Sequence, residues 1–216
     1  MRRIPLFLLF TMLACTSLKA APKPLRVAII FDDGPVAGST ETLLEVLKKE
    51  QVHITFGTIA SKAVAYPEGT RAAAKAGHEI ANHSFTHDHP KPLTDEKLEE
   101  QIVGAQTLFT TKVGVTPVWY WPPYIEVDPR MAALTKKVGI TVYPYVKIVA
   151  CMDYMPAVSA EEIRKNATTG IEDGTVILFH EWRKESTEQL PAILAELRRQ
   201  GCVFMTFSEL AAALAK

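Results

Sequence analysis

Short apolar runs alternate with amphipathic stretches along the chain. The run Leu25 to Phe31 is mostly apolar, which predicts a buried parallel strand, and the apolar spacing across Thr40 to Glu50 predicts an amphipathic helix. By the same criteria we expect further strands at residues 53–59, 78–81, 118–121, 140–145, 146–150, 175–179 and 202–206. Further helices are expected at residues 70–76, 95–111, 129–138, 160–167 and 187–200, followed by a short terminal helix capped by Ser208.

This alternation of strands and helices is typical of the α/β class. It predicts a parallel sheet with helices packed outside it, and the number of repeats favours a barrel. In such folds the functional residues gather at the carboxyl ends of the strands. Each of the motifs described below follows a predicted strand, so their positions along the chain support a common site.

The N-terminus has the features of a secretory signal. Two arginines follow Met1, and then come the apolar stretch Ile4 to Leu13 and small and polar residues up to Ala21. We therefore expect residues 1–20 to be a signal peptide, 21–24 a short linker, and 25–216 one domain of an exported protein, periplasmic or extracellular. The apolar stretch is short for an uncleaved membrane anchor, and no later segment qualifies as a transmembrane helix. The segment ending in Cys15 loosely resembles a lipoprotein cleavage box, so a lipid anchor at Cys15 is an alternative.

Composition and charge narrow the classes of function. The 216 residues are 48% hydrophobic and 22% charged, which suits one domain with a sizeable core. The 24 basic and 24 acidic residues balance, and cleavage after Ala20 would leave a slight acidic excess, so nucleic acid is not an expected partner. Cys151 and Cys202 could form a disulfide in an oxidising compartment, or remain as two buried free thiols. The sequence does not indicate an oligomeric state.

Two short motifs carry the candidate chemistry. Asp32 and Asp33 follow the first predicted strand, and His83 and His87 follow a later one. Histidines four positions apart fall on one face of a helical turn, so both imidazoles can reach one cation. A carboxylate completes a three-ligand set that leaves a position open for water. Adjacent aspartates at a strand end point in different directions, so one can bind the metal while the other faces the substrate.

Each of these features has a simpler explanation when it stands alone. The aspartate segment could be an ordinary turn, and His83 and His87 could be one core and one surface histidine. Their occurrence together, after predicted strands, favours a site. His89 extends the cluster and is expected to be an incidental surface residue, while His53 and His78 are expected in strands or loops with satisfied ring nitrogens.

With these residues in view, the chain resembles the polysaccharide deacetylase family, the NodB-homology domains of carbohydrate esterase family 4, from about Leu25 to Leu210. The resemblance implies a distorted (β/α) barrel and metal-dependent removal of acetyl groups from amino sugars or acetylated xylan. The family motif Thr-Phe-Asp-Asp-Gly-Pro appears here as residues 30–35, with Ile30 in place of threonine. By this resemblance Asp32 is the general base and Asp33 a metal ligand.

Two more family motifs are recognisable. The pattern His-Ser/Thr-x-x-His is complete at residues 83–87, which implies that His83 and His87 are the other metal ligands. The pattern Leu-x-His ends at His180, which implies that this residue is the general acid. Leu178 and Trp182 could wall the pocket for the acetyl methyl group, and ordinary packing is the alternative for both.

The third and fourth motifs depart from the family pattern. In the third, Arg-x-Pro-Tyr-Gly, Trp121 stands where arginine is expected, while Tyr124 is kept and its backbone N–H is expected to help bind the oxyanion. In the family that arginine orients the base through an ion pair with a fourth-motif aspartate. The fourth motif is reduced to Asp153 and an aromatic residue, and Asp153 is expected either to support the site or to be a solvated loop carboxylate.

Loss of the arginine leaves three hypotheses open. Another residue, such as Lys147, orients the base; or the substrate differs and Trp121 offers a stacking surface for a sugar ring; or the protein is a catalytically weak or inactive, exported glycan-binding relative. A hydrolase of small cyclic amides on the same barrel is disfavoured, because such members tend to lose the metal histidines.

The function that the resemblance implies is hydrolysis of acetyl groups from an acetylated polysaccharide. The cofactor would be one divalent metal ion, with zinc favoured and cobalt, nickel or manganese left open. The sequence does not decide which polysaccharide is the substrate or whether the acetyl group is attached to nitrogen or oxygen.

Overall fold

Strands and helices alternate through the computed structural model, which describes residues 23–144 and 147–216. The predicted signal peptide, its cleavage site and Cys15 lie outside the described residues. The strands are β1 (Leu25–Gly34), β2 (Thr55–Thr58), β3 (Glu79–Asn82), β4 (Trp119–Tyr120), β5 (Thr141–Val142), β6 (Ile148–Ala150), β7 (Thr175–His180) and β8 (Cys202–Met205). The α/β class predicted from the sequence is confirmed.

Helices connect most of these strands. They are α1 (Ser39–Glu50), α2 (Ala60–Ala65), α3 (Pro67–Lys75), α4 (Asp95–Glu99), α5 (Ala105–Leu108), α6 (Met131–Lys137), α7 (Ala160–Thr168), α8 (Lys184–Arg199) and α9 (Phe207–Leu214). π-Helical segments, Glu100–Gly104 and Phe109–Val113, follow α4 and α5, so the long helix expected at residues 95–111 is helical but irregular. In the part of the chain that the structure describes, no helix has the length and apolar character needed to cross a membrane.

The strands form one parallel sheet in the order β5-β4-β3-β2-β1-β7-β6, and β8 pairs with the start of β1. Strand β1 is central: residues 27–32 pair with β7, and residues 30–34 pair with β2. The sheet curls but stays open, because β5 and β6 end it without pairing to each other in the described residues. Parallel pairing brings the carboxyl ends of β1, β3 and β7 to one edge, which is where the motifs lie.

Both faces of β1 are buried, as its apolar run predicts. Val27, Ile29 and Phe31 join a core cluster with residues of α1 and α8, while Ala28 and Ile30 face a second cluster. The rings of Phe31 and Phe179 stack at a centroid separation of 4.9 Å across the β1–β7 pair. This packing fixes the two strands that carry the aspartates and His180.

Several boundaries differ from the sequence predictions. Helix α2 was not predicted, and α3 begins at Pro67 rather than Thr70, since proline is well suited to a first helical turn. Strand β5 is only two residues long, whereas residues 140–145 were expected to be extended; residues 145 and 146 are outside the described part. Short strands have weak periodicity, so their ends are poorly defined by pattern alone.

The N-terminal cap of α9 also differs from the sequence prediction. Ser208 does not cap this helix; Thr206 does, because its hydroxyl accepts the backbone N–H of Glu209, whose carboxylate accepts the N–H of Thr206 in turn. Ser208 instead accepts the indole N–H of Trp119 at 2.8 Å.

Cys151 and Cys202, the cysteines within the described residues, form no disulfide. Cys151 and Cys202 are both buried and free, which is the second of the two alternatives drawn from the sequence.

Candidate active site

A cavity of about 550 Å³ opens at the carboxyl ends of β1, β3 and β7. Most of the predicted site residues line this cavity: Asp32, Asp33, His83, His87, Tyr124, Leu178, His180 and Trp182. The other two, Trp121 and Asp153, lie behind its wall. A larger cavity, of about 640 Å³, lies between α1 and α3 and has no carboxylate in its lining. The acid–base chemistry is therefore concentrated in the cavity at the strand ends.

The two aspartates enter this cavity together. A regular strand would turn adjacent side chains to opposite faces. Asp33 instead has a left-handed backbone, with φ of 68°, and the β1–β2 register shifts between Asp32 and Gly34. This irregularity brings both carboxylates to the cavity, a placement that strand alternation alone does not predict.

Asp33, His83 and His87 form a compact group of ligand atoms. Asp33 Oδ1 lies 3.2 Å from His87 Nε2 and 3.6 Å from His83 Nε2, and all three ligand atoms lie within 4.8 Å of one another. Asp33 Oδ1 is buried and makes no hydrogen bond to the described residues. A buried carboxylate oxygen facing two imidazole nitrogens suits a divalent cation, so the residues fit the metal that the sequence implies.

His83 is held with one ring nitrogen directed toward Asp33. Its Nδ1–H donates to the backbone carbonyl of Trp121 at 2.6 Å, so Nε2 is left with its lone pair toward Asp33. Burial lowers the pKa of His83 to about 3, and the neighbouring His87 adds to this effect. Burial also lowers the pKa of His87. Both rings are therefore unprotonated near neutral pH, as metal ligands must be.

The histidine pair does not lie on a helical turn, so that part of the sequence prediction is wrong. Residues 83–87 form a loop in which Ser84 and His87 have φ values of 69° and 68°. The Ser84 hydroxyl accepts the backbone N–H of His87 at 2.9 Å and closes the loop. The two rings converge because of this loop geometry rather than through helical spacing.

Gln101 supports the loop from the long helix, and the sequence analysis did not identify it. Its side-chain oxygen accepts the backbone N–H groups of Phe85 and Thr86 at 3.1 and 3.0 Å. Gln101 lies in the π-helical segment and is buried. Its spacing from Leu98 and Ala105 places it on the apolar face of that helix, and an amide side chain at an apolar position is the signal that could have identified it.

Asp32 is buried beside the candidate cation site formed by Asp33, His83 and His87. Its Oδ2 accepts the indole N–H of Trp121 at 2.7 Å and lies 3.8 Å from His83 Nε2. Its Oδ1 lies against Gly57, where an added Cβ would collide with it. Burial raises the pKa of Asp32 well above its ordinary value, with the Asp33 carboxylate adding to the rise and His180 opposing it.

His180 faces Asp32 across the β1–β7 pair and is oriented from behind. Its Nδ1–H donates to Asp153 Oδ1 at 2.7 Å, so its Nε2 is free to face the cavity. Asp153 Oδ2 accepts both the backbone N–H of His180, at 2.8 Å, and the hydroxyl of Ser186, at 2.6 Å. Burial opposes protonation of His180, but Asp153 and Asp32 outweigh it and raise its pKa.

Comparison with known proteins agrees with this geometry. Residues 19–143 match the family described as polysaccharide deacetylase. The chain belongs to the polysaccharide deacetylase family. A peptidoglycan-N-acetylglucosamine deacetylase of Bacillus cereus is 30% identical over 188 residues, which cover 85% of this chain and 87% of that protein. The match to the peptidoglycan-N-acetylglucosamine deacetylase PgdA of Listeria monocytogenes, at 27% identity, spans 86% of this chain but only 38% of that protein.

Solved structures confirm the distorted barrel. A family 4 carbohydrate esterase from Streptomyces lividans, in complex with acetate, has a TM-score of 0.76 at 29% identity and covers 85% of this chain and 93% of its own. A family 4 acetyl xylan esterase from Clostridium thermocellum, in complex with a cobalt ion, has a TM-score of 0.73 at 28% identity and covers 87% and 91%.

Trp121 stands where the family resemblance implies an arginine. The prediction that this ring offers a stacking surface for a sugar is wrong, because Trp121 is 0% exposed and packs against Phe207 at a centroid separation of 5.3 Å. Lys147 does not orient the base either: it pairs with Glu172 at the surface. Asp153 is 0% exposed, so the alternative of a solvated loop carboxylate is wrong as well.

The remaining predicted residues form the rim and wall of the cavity. Trp182 is 42% exposed and donates its indole N–H to Asp33 Oδ2 at 3.0 Å. Burial works against ionisation of Asp33, but the two histidine ligands and this hydrogen bond outweigh it and lower its pKa. Tyr124 is half exposed and stacks on His89 at a centroid separation of 3.5 Å. His89 is thus an exposed residue at the rim rather than part of the ligand set.

Proposed function

We propose that this protein is a metal-dependent hydrolase that removes acetyl groups from an acetylated polysaccharide. The proposal rests on one observation: three kinds of group meet at one cavity. Asp32 and His180 line it, and His180 is paired to the buried carboxylate of Asp153. The third group is the set of residues that could bind a cation, Asp33, His83 and His87. These are the parts that water-mediated acyl hydrolysis requires. The named deacetylases among the relatives support a carbohydrate substrate, and the peptidoglycan enzymes favour an N-acetylated cell-wall glycan.

The metal would be held by Asp33, His83 and His87. A divalent cation there supplies Lewis-acid chemistry, polarising the acetyl carbonyl and making water acidic enough to attack near neutral pH. The cobalt ion in the acetyl xylan esterase structure supports a transition metal, and we propose zinc as the resident ion.

Asp32 is the proposed general base. Its Oδ2 is the oxygen nearer to His83 Nε2, so it accepts the proton of the attacking water. A base must be ionised, and burial alone favours the protonated form of Asp32. The positive charge of His180 opposes this rise in the pKa of Asp32, and a cation held by Asp33, His83 and His87 would oppose it further.

His180 is the proposed general acid. Because its Nδ1–H is committed to Asp153, its Nε2–H is the proton that passes to the leaving amine or alcohol. Asp153 and Asp32 raise the pKa of His180, which favours the protonated ring. The backbone N–H of Tyr124 is the proposed donor to the developing oxyanion, and Leu178 with Trp182 walls the acetyl group.

Export is part of the proposal. Residues 1–20 would direct the chain to the periplasm or the outside of the cell, with a lipid anchor on Cys15 as the alternative route. A catalytically inactive glycan-binding protein is the second candidate function, and the replacement of arginine by Trp121 is the observation that favours it. We prefer the enzyme, because a binding protein has no need of both a base and an acid beside a metal.

The Asp32→Asn variant tests the proposed chemistry. It removes the base but leaves the metal trio intact, so we expect unchanged metal content and turnover lowered by about 10²-fold or more. Asp173→Asn is the matched control, since Asp173 pairs with Arg26 at the opposite end of β1 and its loss should leave turnover unchanged. Full activity in the metal-loaded Asp32→Asn protein would remove Asp32 from the role of base.

A further inference from the structure

Trp121 connects the proposed base to a metal ligand. Its indole N–H donates to Asp32 Oδ2 at 2.7 Å, and its backbone carbonyl accepts His83 Nδ1–H at 2.6 Å. Its own backbone N–H donates to the carbonyl of Asn82, which ends β3, at 2.9 Å. One residue therefore contacts both the carboxylate that would accept the proton and the imidazole that would bind the cation.

The position of the indole ring is fixed by packing. Trp121 is fully buried, and its ring contacts Phe207 and Tyr143 at centroid separations of 5.3 and 6.1 Å. Tyr143 and Phe207 stack on each other at 3.8 Å, which leaves the indole little room to move. A donor in a rigid setting of this kind orients its acceptor without losing side-chain entropy when the substrate arrives.

The Asp32 carboxylate is held from both sides. Oδ2 is fixed by the indole N–H, and Oδ1 is enclosed by Gly57, whose missing Cβ makes the space for it. Rotation of the carboxylate about its bond to Cβ would move Oδ2 away from the cation site and break the single hydrogen bond that the indole supplies. The geometry needed for proton acceptance thus depends on this N–H.

Within residues 23–144 and 147–216, no positively charged side chain orients the Asp32 carboxylate. In these residues no lysine or arginine lies within ion-pair distance of Asp32, and Lys62 donates instead to the backbone carbonyl of Asp33 at 2.8 Å. The resemblance implies an arginine at position 121 in relatives. In this chain the neutral indole of Trp121 occupies that position, and its N–H contacts Asp32 directly.

We propose that Trp121 is a positioning residue: its indole N–H holds Asp32 Oδ2 in the orientation for proton acceptance, in place of the family arginine. The proposal rests on the proposed function, because it assigns a task toward the base of the same reaction. It also predicts that Trp121 influences turnover more than metal binding, because the link to His83 runs through the backbone carbonyl, which a side-chain substitution keeps.

Kinetics of Trp121→Phe provide the first test. A hydrogen bond to a charged group is lost, so we expect kcat to fall about 10- to 100-fold, with KM and metal content close to those of the parent protein. Incorporation of benzothienylalanine at position 121 is the second variant. It puts sulfur in place of the indole N–H in a ring of the same shape, so it should give the same loss without leaving a packing defect.

Trp119→Phe is the matched control. Trp119 also donates an indole N–H, to Ser208 at 2.8 Å, but neither residue lines the catalytic cavity. Its replacement should leave kcat unchanged. If both variants at position 121 keep the kcat of the parent, or if the control loses as much activity as they do, the positioning role is overturned.

A second readout does not depend on activity. The protein has three tryptophans, so a nitrogen-15 NMR spectrum should resolve three indole N–H signals, assignable with single Trp→Phe variants. Asp32→Ala removes the acceptor and should shift the Trp121 signal upfield and speed its exchange with water, while the Trp119 signal stays in place. An unmoved Trp121 signal would overturn the proposal.

If the parent protein releases no acetate but the Trp121 signal still moves, the proposed function fails while the positioning of Asp32 by Trp121 is supported.

Discussion

Glu181 should make the stability of this protein depend on pH in a way that one substitution can isolate. It follows His180 directly, is 1% exposed, and turns away from the catalytic cavity. One carboxylate oxygen accepts the backbone N–H of Val36, at 3.3 Å, and the hydroxyl of Thr40; the other occupies the space that a Cβ on Gly34 would need. Burial raises the pKa of Glu181 to about 7, although the hydrogen bond from Thr40 opposes the rise.

The size of the effect follows from this pKa. An unfolded glutamate titrates near 4.5, so the folded state holds the proton about 2.5 pH units higher, which corresponds to about 3 kcal/mol. Because the folded pKa is the higher one, the stability that the protonated carboxyl contributes is complete below about pH 4.5 and is lost as the pH rises through about 7. Glu181→Gln keeps the oxygen that accepts from Val36 and Thr40 but cannot ionise. It should therefore be more stable than the parent by up to about 3 kcal/mol near pH 8, and by little near pH 4.

Urea unfolding of both proteins at several pH values measures this difference directly. Other groups titrate equally in the two proteins, so the pH dependence of the difference reports Glu181 alone. Glu188→Gln, an exposed position on α8, is the control and should change stability little at any pH. A difference between parent and Glu181→Gln that is the same at pH 4 and pH 8, or a variant that is less stable at pH 8, would mean that Glu181 is not held protonated by burial.

Two further predictions concern the support of the site. Gln101→Ala removes the acceptor for two backbone N–H groups of the histidine loop, so metal affinity should fall about 10- to 100-fold in equilibrium dialysis, and unchanged affinity would contradict the role given to Gln101. Gly57→Ala places a methyl group against Asp32 Oδ1 and should abolish most acetate release while the circular dichroism spectrum stays native; an active variant would mean that the position of Asp32 is not critical.

The strand framework and most of the site could be predicted from the sequence. The apolar run that ends at Phe31 and the one that ends at Phe179 predict buried strands, and parallel strands bring the residues after them to one edge. Strand pattern and parallel pairing are therefore enough to predict that Asp32 and His180 lie close together. The residue types indicate a cation site of imidazole and carboxylate ligands, and the family resemblance, rather than spacing, implies Asp33 with His83 and His87, which the structure brings together.

The features that sequence reasoning missed depend on contacts between distant parts of the chain. One of the three hypotheses for Trp121 exposed its ring to a sugar, but its neighbours Tyr143 and Phe207 come from a different strand end and from α9, and no local pattern indicates that burial. The sequence left open whether Asp153 is solvated, because its hydrogen-bond partners His180 and Ser186 lie far away along the chain. The histidine loop departs from a helical turn because the backbone takes positive φ at Ser84, which motif spacing does not reveal.

Metal-dependent deacetylation is tested by measuring acetate release. The protein lacking residues 1–20 would be incubated with N-acetylglucosamine oligomers, once metal-loaded and once after chelation, with metal content measured on the same samples. We expect release from the loaded protein, with about one metal ion per chain, and its loss on chelation. Bound metal without acetate release, or release that survives removal of the metal, would contradict metal-dependent deacetylation.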